Sequence, residues 1–486
     1  MLLSLFFDVT NMPRKRDIHG DLPYDRKDVD SILRYAARLT GRTLNEILDV
    51  ESGKIGDTHT KGYFGQSIES EYFLIDNNSD PVPDFEEVGM ELKVTPMKEV
   101  RGGLVSKERL VLGIIDYNEV PSKGFRIFLD KNSHILIVFY LWKEGQDIYD
   151  YRVLKVVDWT PLPEELRIIK EDWDVIEGYV LRGEAHLLSE RHTRFLAACT
   201  KGVGHGGDMR TPPNSSELAK QRALSFKASF MTSLYHSHPD VNECLIDVTD
   251  DEESVFHERW EDDLTFNEYV LGHLDRFRGR TCQEIEDALG IHLSERSKQY
   301  YYTLTLAMLG VHHRKHVKEF EQAGISIKTV RILQNGTPKE SMSFPAFRYE
   351  DVVEQTWETS DFFEQIDHEF FIPVFQFNTK YPKEEPRKSL TFRGSFFWSV
   401  PDDDIEIIRG VWEDTRSKVI EERFDDFIAS SDRRISHVRP HGRDSRDTYP
   451  YKGKEYVKKG FWLNKQYMKE VIRRELKGRS SLEGLR

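Results

Sequence analysis

The sequence predicts an α/β protein built from two tandem domains of the same fold. A chain of 486 residues is too long for one ordinary hydrophobic core, and two or three domains are expected. Amphipathic stretches with helical spacing alternate with short runs that have the two-residue period of strands. The second half then repeats motifs of the first half in the same order. These three observations together give the fold class.

The internal repeat is the most informative of the three. Matching segments are separated by roughly 235 to 240 positions throughout the chain. The matched pairs are Gly41–Ile47 with Gly279–Ile285, Gly89–Val94 with Gly324–Thr329, and Ile168–Trp173 with Ile407–Trp412. An ordered set of matches at one spacing indicates a duplicated domain of about 230 residues, which is an ordinary domain size.

An acidic stretch between the two repeats predicts a linker. Its hydrophobic periodicity stops, and five acidic residues lie close together: Asp247, Asp250, Asp251, Glu252 and Glu253. We therefore expect a first domain over residues 1–238, a linker over residues 239–263 and a second domain over residues 264–486.

The elements of the first repeat can be placed in order. Asp28–Leu39 has helical spacing, and Thr43 followed by Glu46 is a capping-box pattern that starts another helix. A third helix is expected from about Tyr63 to Leu74. Gly89–Pro96 alternates as a strand. Two later stretches, 107–117 and 133–142, are strand or helix candidates.

The composition describes a folded protein without a disulfide framework. The hydrophobic share is 38%, and Trp173 and Trp412 are expected in the cores. Three widely separated cysteines fit a reducing cytoplasm, and Cys199 is expected to be a buried, inert thiol. No segment is long and apolar enough to span a membrane, so we expect a cytoplasmic protein with no membrane partner.

The segment that ends in Glu91-Leu92-Lys93 carries a pattern that suits metal-dependent chemistry. On a strand, Glu91 and Lys93 share one face. Asp84 follows a proline turn, which can bring its carboxylate back toward Glu91. Two carboxylates suit Mg²⁺, and a neighbouring lysine can orient a water or offset charge on a phosphate. A charged strand edge would give the same pattern, so the pattern alone leaves both interpretations open.

A wider set of motifs accompanies this pattern. Lys61–Glu69 precedes it, and Thr95-Pro96 follows it. Further segments of the set are Ser106–Leu112, Cys199–Gly202, Lys220–Leu234, Glu340–Phe344 and His437–His441. In combination they resemble the MutH-like endonucleases, which include mismatch-repair nickases and the GATC-cutting type II restriction endonucleases of type IIE. The resemblance covers nearly the whole chain.

This resemblance implies two tandem restriction-endonuclease-like domains, each with a mixed sheet flanked by helices, and Mg²⁺ as the cofactor. It implies Asp84 and Glu91 as Mg²⁺ ligands and Lys93 as the catalytic lysine. Glu69 matches a further acidic residue that supports the metal or a second ion. Lys131 is the best match to a second lysine just before a later strand, with a solvated turn lysine as the equal alternative.

When the same correspondence is applied to the second half, most of the catalytic and metal-binding residues have no equivalent there. The aligned pairs are Glu69 with Leu306, Asp84 with Glu319, Glu91 with Ser326, and Lys93 with Lys328. A leucine cannot ligate a metal, and a serine hydroxyl is a poor replacement for a carboxylate beside Mg²⁺. We therefore expect a catalytically inactive second domain.

Residues that contact DNA are expected in both halves, although a net charge of −15 does not itself favour DNA binding. The segment from His437 to Arg443 falls where MutH-like proteins carry a DNA-reading loop, and Gly460–Leu463 resembles a segment with an aromatic residue at the DNA interface. Arginine pairs with guanine O6 and N7, which suits a site that begins with G. A solvated basic surface is the alternative. The candidates are Arg439, His441, Arg443 and Trp462 in the second half, and Lys201 and Arg210 in the first.

The resemblance implies a type II restriction endonuclease that hydrolyses double-stranded DNA at GATC, before the G. The second domain would bind another copy of the site as an effector. One active site per chain implies either a DNA-induced dimer or two successive nicks. Two alternatives remain: a MutH-like mismatch-repair nickase, usually a single domain, and a non-catalytic DNA-binding regulator.

Overall fold

The computed structural model describes residues 22–49, 62–75, 82–100, 102–200, 208–242, 252–261, 263–312, 316–382 and 385–483. The chain divides into two compact units, Met1–Asp250 and Asp251–Arg486, which we call unit 1 and unit 2. Each unit combines helices with a mixed sheet, so the predicted tandem α/β fold is confirmed.

The described part of unit 1 contains seven α-helices and nine strands. The helices are α1 (Val29–Ala36), α2 (Leu44–Leu48), α3 (Tyr63–Ser67), α4 (Val120–Lys123), α5 (Arg126–Asn132), α6 (Pro163–Leu181) and α7 (Ala228–Ser237). The strands are β1 (Glu91–Val100), β2 (Gly103–Ser106), β3 (Leu110–Ile114), β4 (Ile135–Leu141), β5 (Arg152–Trp159), β6 (Leu196–Thr200), β7 (Met209–Arg210), β8 (Ala219–Lys220) and β9 (Arg222–Phe226). The first predicted helix and the capping box of Thr43 and Glu46 are confirmed.

The central sheet of unit 1 has the strand order β2-β1-β4-β5. β1 and β4 run parallel, with Glu91 opposite Ile135, whereas β2 and β5 are antiparallel to their neighbours. A second, antiparallel sheet has the order β3-β9-β6. One face of the central sheet packs against α1, α2 and α3. The other face receives α7, where the ring of Tyr235 contacts that of Phe139.

Strand β1 alternates as its sequence predicts. Met90 and Leu92 are fully buried in the core beneath α1 to α3. Glu91 and Lys93 lie on the opposite face. Glu91 is nevertheless only 1% exposed. The face that carries charge is therefore enclosed, and a charged strand edge open to solvent does not describe it.

The helix expected from Tyr63 to Leu74 is not α-helical throughout. It is an α-helix over Tyr63–Ser67 and continues as one π-turn over Ile68–Tyr72. A π-turn closes its hydrogen bonds one residue further along the chain than an α-turn does, so the side chains that follow point elsewhere. Glu69 lies on this turn, and α-helical spacing would therefore misplace it.

The described part of unit 2 contains eight α-helices and eleven strands. The helices are α8 (Phe266–Asp275), α9 (Cys282–Leu289), α10 (Tyr300–Met308), α11 (Lys318–Ala323), α12 (Tyr349–Glu354), α13 (Asp361–Ile366), α14 (Asp402–Ile420) and α15 (Lys465–Glu483). The strands are β10 (Glu252–Glu253), β11 (His316–Val317), β12 (Ser326–Ile327), β13 (Val330–Ile332), β14 (Met342–Phe347), β15 (Phe370–Gln376), β16 (Thr391–Trp398), β17 (Ser436–Pro440), β18 (Thr448–Tyr451), β19 (Lys454–Val457) and β20 (Lys459–Leu463).

Unit 2 repeats the plan of unit 1. In its central sheet β12 and β13 both run parallel to β15, and β16 is antiparallel to β15. β12 and β13 are thus two pieces of the strand that is continuous as β1. The capping box recurs at Thr281 and Glu284. The bridge that joins Thr43 to Arg152 in unit 1 joins Thr281 to Thr391 in unit 2. The sequence repeat therefore corresponds to a repeat of individual backbone contacts.

Both ends of the predicted linker, 239–263, are structured. Asp240 is 5% exposed, and its Oδ2 accepts hydrogen bonds from Thr40 Oγ1 and Val156 N, each at 2.9 Å. At the other end, Ser254 and Val255 donate to Glu319. Composition could not reveal these hydrogen bonds, because an acidic side chain in a linker and one that accepts buried hydrogen bonds look alike in the sequence. Residues 243–251 lie outside the described part of the chain.

Several predictions about individual side chains agree with the structure. Trp173 and Trp412 are buried. Cys199 is 1% exposed, and like Cys282 it is a buried free thiol.

Over the described residues, no helix combines the length and the apolar character that crossing a membrane requires.

Candidate active site

The site is organised by a short hairpin that precedes β1. Phe85 and Met90 form an antiparallel bridge, with hydrogen bonds of 2.9 and 3.2 Å between their backbones. A 3-10 turn, Glu86–Val88, connects them and ends at Gly89, whose φ of 65° lies in the left-handed region that glycine adopts without strain. Both Phe85 and Met90 are fully buried, so the core fixes the hairpin in place.

This hairpin folds Asp84 back onto the start of β1. Asp84 N donates to Glu91 Oε2 at 3.1 Å, and Leu92 N donates to Asp84 Oδ2 at 3.0 Å. The two predicted carboxylates are therefore adjacent, and each is oriented by the backbone of the segment that carries the other. No hydrogen bond from the described residues reaches Asp84 Oδ1.

Two lysines approach Glu91 from different elements. Lys93 Nζ contacts Glu91 Oε1, and Lys131 Nζ lies 3.4 Å from the same oxygen. Lys131 reaches it because α5 ends just before β4, and β4 is the parallel neighbour of β1. The solvated turn lysine that was the alternative for Lys131 does not agree with this position.

Glu69 completes the charged cluster. Burial raises its pKa above the ordinary value, and the nearby Asp84 carboxylate raises it further, while Lys93 opposes both. Burial also raises the pKa of Glu91; Lys93 opposes this shift and Asp84 adds to it. The cluster thus holds three carboxylates against two lysines in a poorly solvated place. It has an excess of negative charge, which a bound cation would offset.

A cleft of about 640 Å³ opens onto this cluster. Glu69 and Lys93 line it from one side, and Lys107 and Arg109 line it from another. Lys107 Nζ lies 4.4 Å from the ring centroid of Trp142, also in the cleft wall. The cleft therefore places basic side chains beside the carboxylates, which suits a polyanionic substrate that must approach a negatively charged cluster.

The donor set fits Mg²⁺. Among the described residues, no group of three or more His, Cys, Asp or Glu side chains is arranged as a metal cage. Mg²⁺ does not require such a cage, because it keeps several waters and commonly takes only one or two carboxylates plus substrate oxygens. Asp84 and Glu91 are the side chains that could hold the ion, with Glu69 available to support it.

Sequence reasoning missed one residue that positions the site. Arg26 Nη2 donates to the carbonyl oxygen of Asp84 at 2.6 Å, and its Nε lies 3.4 Å from Glu87 Oε2. The guanidinium therefore ties the hairpin to the segment before α1. No local pattern could have identified Arg26, because the contact joins residues that are far apart in the chain.

Unit 2 uses the equivalent positions for other purposes. Leu306 is buried on α10. Glu319 is also buried; its Oε1 accepts from Ser254 Oγ at 2.5 Å and its Oε2 from Val255 N at 3.0 Å. Ser326 Oγ lies 2.9 Å from His368 Nε2. The one acidic residue that remains thus accepts hydrogen bonds from the segment that carries Ser254 and Val255. A serine beside a histidine stands at the position of Glu91.

The DNA-contact candidates of unit 2 gather on the sheet β14-β20-β17. The Arg439 guanidinium lies 4.6 Å from the ring centroid of Trp462, and the His441 ring lies 5.4 Å from it. Arg439 is exposed. The side chain of Arg443 is 93% exposed, and its Nε lies 3.9 Å from Asp447 Oδ2. Three of the four candidates therefore form one cluster, with Arg443 next to it.

Of the two DNA-contact candidates in unit 1, the structure describes only Arg210. Arg210 lies on β7, and its Nη2 donates to Gln221 Oε1 at 2.7 Å. It is not among the residues that line the cleft. Lys201 lies outside the described residues.

Comparison with known proteins shows the family of this chain. The family described as DNA mismatch repair enzyme MutH matches the chain twice, at residues 73–172 and 312–410. The type II restriction enzyme Sau3AI of Staphylococcus aureus is 30% identical over 488 aligned residues, which cover 90% of this chain and 96% of that enzyme. The chain belongs to the MutH-like type II restriction endonucleases.

The shorter relatives of this endonuclease match less than half of its length. The DNA mismatch repair protein MutH of Shewanella woodyi is 25% identical over 217 residues, covering 44% of this chain and 93% of that protein. The MutH protein of Vibrio parahaemolyticus is 24% identical over 163 residues, covering 32% and 70%. The endonuclease is thus similar over 90% of its length to a restriction enzyme and over less than half of its length to repair proteins.

Replacing Glu69 by Gln should stabilise the metal-free endonuclease. The substitution removes a partly buried negative charge that faces Asp84 and keeps nearly the same volume. We expect the thermal midpoint of unfolding in EDTA to rise by about 2 °C, a value that allows for solvent screening.

The matched control for this substitution is Glu71→Gln on the same π-turn, where the side chain is exposed. It should leave the midpoint unchanged. A lower midpoint for Glu69→Gln would contradict an excess of negative charge in the cluster.

Proposed function

We propose that the endonuclease cleaves double-stranded DNA at GATC, before the G, by Mg²⁺-dependent hydrolysis of the phosphodiester, and that unit 1 carries the reaction. The observation that supports this most strongly is the cluster of Asp84, Glu91 and Lys93 beside a cleft that Lys107 and Arg109 also line. The GATC site is what the resemblance to the MutH-like enzymes implies. A cytoplasmic location agrees with this substrate.

Asp84 and Glu91 would hold the Mg²⁺ ion, with Glu69 in support. When bound, the ion would supply Lewis-acid stabilisation of the phosphate and lower the pKa of a coordinated water. The backbone hydrogen bonds from Leu92 N and Asp84 N keep the two carboxylates in fixed orientations, so little reorganisation is needed when substrate enters.

The two lysines act on charge and on the attacking water. In the free enzyme Lys93 and Lys131 both lie against Glu91. With a phosphate in the cleft, Lys93 Nζ can donate to a nonbridging oxygen or to the attacking water, and it stabilises the charge that develops as the bond to the leaving 3′ oxygen breaks. The product carries a 5′-phosphate. Lys131 keeps Glu91 ionised and oriented.

Unit 2 would bind a second copy of the site and act as an effector. Arg439 and Trp462 offer a guanidinium and a ring at one surface, a combination that suits a guanine edge and its neighbouring bases. Two features support a unit that binds without cutting. Ser326 stands at the position of Glu91, and Glu319 accepts hydrogen bonds from Ser254 and Val255. Since each chain then has one active site, cleavage of both strands requires a DNA-induced dimer or two successive nicks.

Cleavage of a plasmid tests the catalytic part of the proposal. Incubated with Mg²⁺, the wild-type protein should convert unmethylated supercoiled plasmid into fragments that end at every GATC. Glu91→Ala should reduce the rate by more than about a hundredfold, since loss of even an outer-shell partner of a metal costs roughly ten- to a hundredfold.

The control for this assay is Glu86→Ala, which removes an exposed carboxylate from the same hairpin and should cut normally. Nicked circles that accumulate without fragments would favour a repair nickase. Absence of any product from the wild-type protein would contradict both enzymatic functions and favour a regulator.

Stimulation in trans tests the effector part. A short duplex that carries GATC should accelerate cleavage of a plasmid with a single GATC, whereas a duplex of scrambled sequence should not. Arg439→Ala should abolish this stimulation and weaken the preference for the GATC duplex in EDTA by about 1–3 kcal/mol. Arg409→Ala, which removes a partly exposed arginine from α14, is the charge-matched control. Equal stimulation by both duplexes would contradict an effector site.

A further inference from the structure

Unit 2 contains a pocket at the position that the active-site cleft occupies in unit 1. Its volume is about 250 Å³. The polar side chains that line it are basic or carry hydroxyls, with a single carboxylate among them: Lys328, Arg331 and Lys339, then Thr329, Ser341 and Ser343, and finally Glu340.

Strand register establishes the equivalence of the two pockets. In unit 1, Glu91 on β1 is opposite Ile135, the first residue of β4. In unit 2, Ser326 on β12 is opposite Phe370, the first residue of β15, so Ser326 is equivalent to Glu91. Lys328 therefore occupies the position of Lys93. On the other wall, Met342 is opposite Leu463 as Leu110 is opposite Phe226. Three positions before these two residues stand Lys339 and Lys107. Unit 2 therefore keeps a lysine at both positions.

What differs between the pockets is the countercharge. Lys93 contacts the carboxylate of Glu91. Over the described residues, no carboxylate lies within ion-pair distance of Lys328. Its Nζ lies 3.4 Å from the carbonyl oxygen of Ser343 and 5.3 Å from the ring centroid of Phe344. Burial lowers its pKa below the ordinary value.

The remaining carboxylate does not neutralise the pocket. Glu340 pairs with Arg331 at 3.1 Å, and its side chain is 64% exposed. Lys339 faces the ring of Phe377, with 4.9 Å between Nζ and the centroid. Two lysines are therefore left beside hydroxyl donors. A partly buried ammonium without a countercharge costs free energy in the empty protein, and an anion in the pocket would offset that cost.

We propose that this pocket binds one backbone phosphate of duplex DNA directly, without a metal ion. Lys328 contacts the phosphate from the position that the catalytic lysine has in unit 1, and Lys339 and the serine hydroxyls surround it. The inference rests on the proposed function of unit 2, since it specifies how the effector domain holds its DNA. Unit 1 needs a cation to offset its carboxylates before a phosphate can enter, and unit 2 does not.

The pocket is continuous with the surface that carries the base-reading candidates. Ser343 on β14 is opposite Trp462 on β20, and Trp462 is opposite His437 on β17. Opposite residues in antiparallel strands point to the same face, about 5 Å apart. Arg439 lies two residues beyond His437 and so shares that face. A duplex read by Arg439 can thus present a phosphate to Lys328.

The test uses the full-length chain in EDTA and a fluorescent duplex with one GATC. Lys328→Met removes the charge and keeps the volume. The slope of log K against log salt should fall in magnitude by about 1, the value for one lost phosphate contact. Binding to GATC and to a scrambled duplex should weaken by the same factor. The thermal midpoint should stay equal or rise, because the uncompensated buried charge is gone.

Lys380→Met removes an exposed lysine of the same unit as the control and should change neither the salt slope nor the midpoint. An unchanged slope for folded Lys328→Met would overturn the inference, as would an effect that appears only with Mg²⁺. Inorganic phosphate that stabilises the wild type but not Lys328→Met, together with an unchanged DNA slope, would assign the pocket to a free anion and also overturn it.

These outcomes separate the inference from the function on which it rests. If Lys328→Met is without effect while Arg439→Ala still abolishes the stimulation in trans, the phosphate site is wrong and the effector function stands. If the GATC duplex gives no stimulation in trans but the salt slope falls as expected, the effector function fails and the phosphate site stands.

Discussion

The pair of hydrogen bonds between Asp84 and the start of β1 is the constraint on which the active site depends. Leu92 N holds the Asp84 carboxylate and Asp84 N holds that of Glu91, so neither acid can move without the other. The buried bridge of Phe85 and Met90 anchors this arrangement in the core, and Arg26 ties it to the segment before α1. Two like charges that would separate in a flexible loop are thereby kept adjacent. That enforced adjacency makes the place suitable for a cation.

The two units show what happens when the turn before the strand is partly kept but the charged residues beside it change. Unit 2 retains part of this turn: Ile325 N donates to the carbonyl oxygen of Phe320 as Met90 N donates to that of Phe85, and Gly324 ends α11 with a φ of 70°, close to the 65° of Gly89. Its one remaining acid, Glu319, instead bonds to Ser254 and Val255. With the carboxylates gone, the lysine that is equivalent to Lys93 loses its partner. We therefore propose that the position that suits a cation in unit 1 suits an anion in unit 2.

The sequence was sufficient to predict the tandem α/β fold and the adjacency of Asp84, Glu91 and Lys93, because the period of β1 and the turn before it are local properties. It could not place Arg26, which acts across the fold, and the position of Lys131 depends on the parallel pairing of β1 with β4. The π-turn that carries Glu69 also left no sequence signal. Composition also did not indicate that Asp240, at the start of the predicted linker, accepts buried hydrogen bonds. Long-range pairing and hydrogen-bond partners, which sequence patterns do not encode, account for each of these gaps.

We propose that one chain carries one metal-dependent cutting centre, in unit 1. Fe²⁺ in place of Mg²⁺, with ascorbate and peroxide, generates hydroxyl radicals that cut the peptide backbone nearest the bound ion. Mapping the fragments of the full-length protein therefore locates its metal directly. We expect cuts at the segment that holds Asp84 and Glu91, and we expect these cuts to disappear in a chain that carries both Asp84→Asn and Glu91→Gln. Cuts around Glu319 and Ser326, or a pattern that the double substitution leaves unchanged, would contradict it.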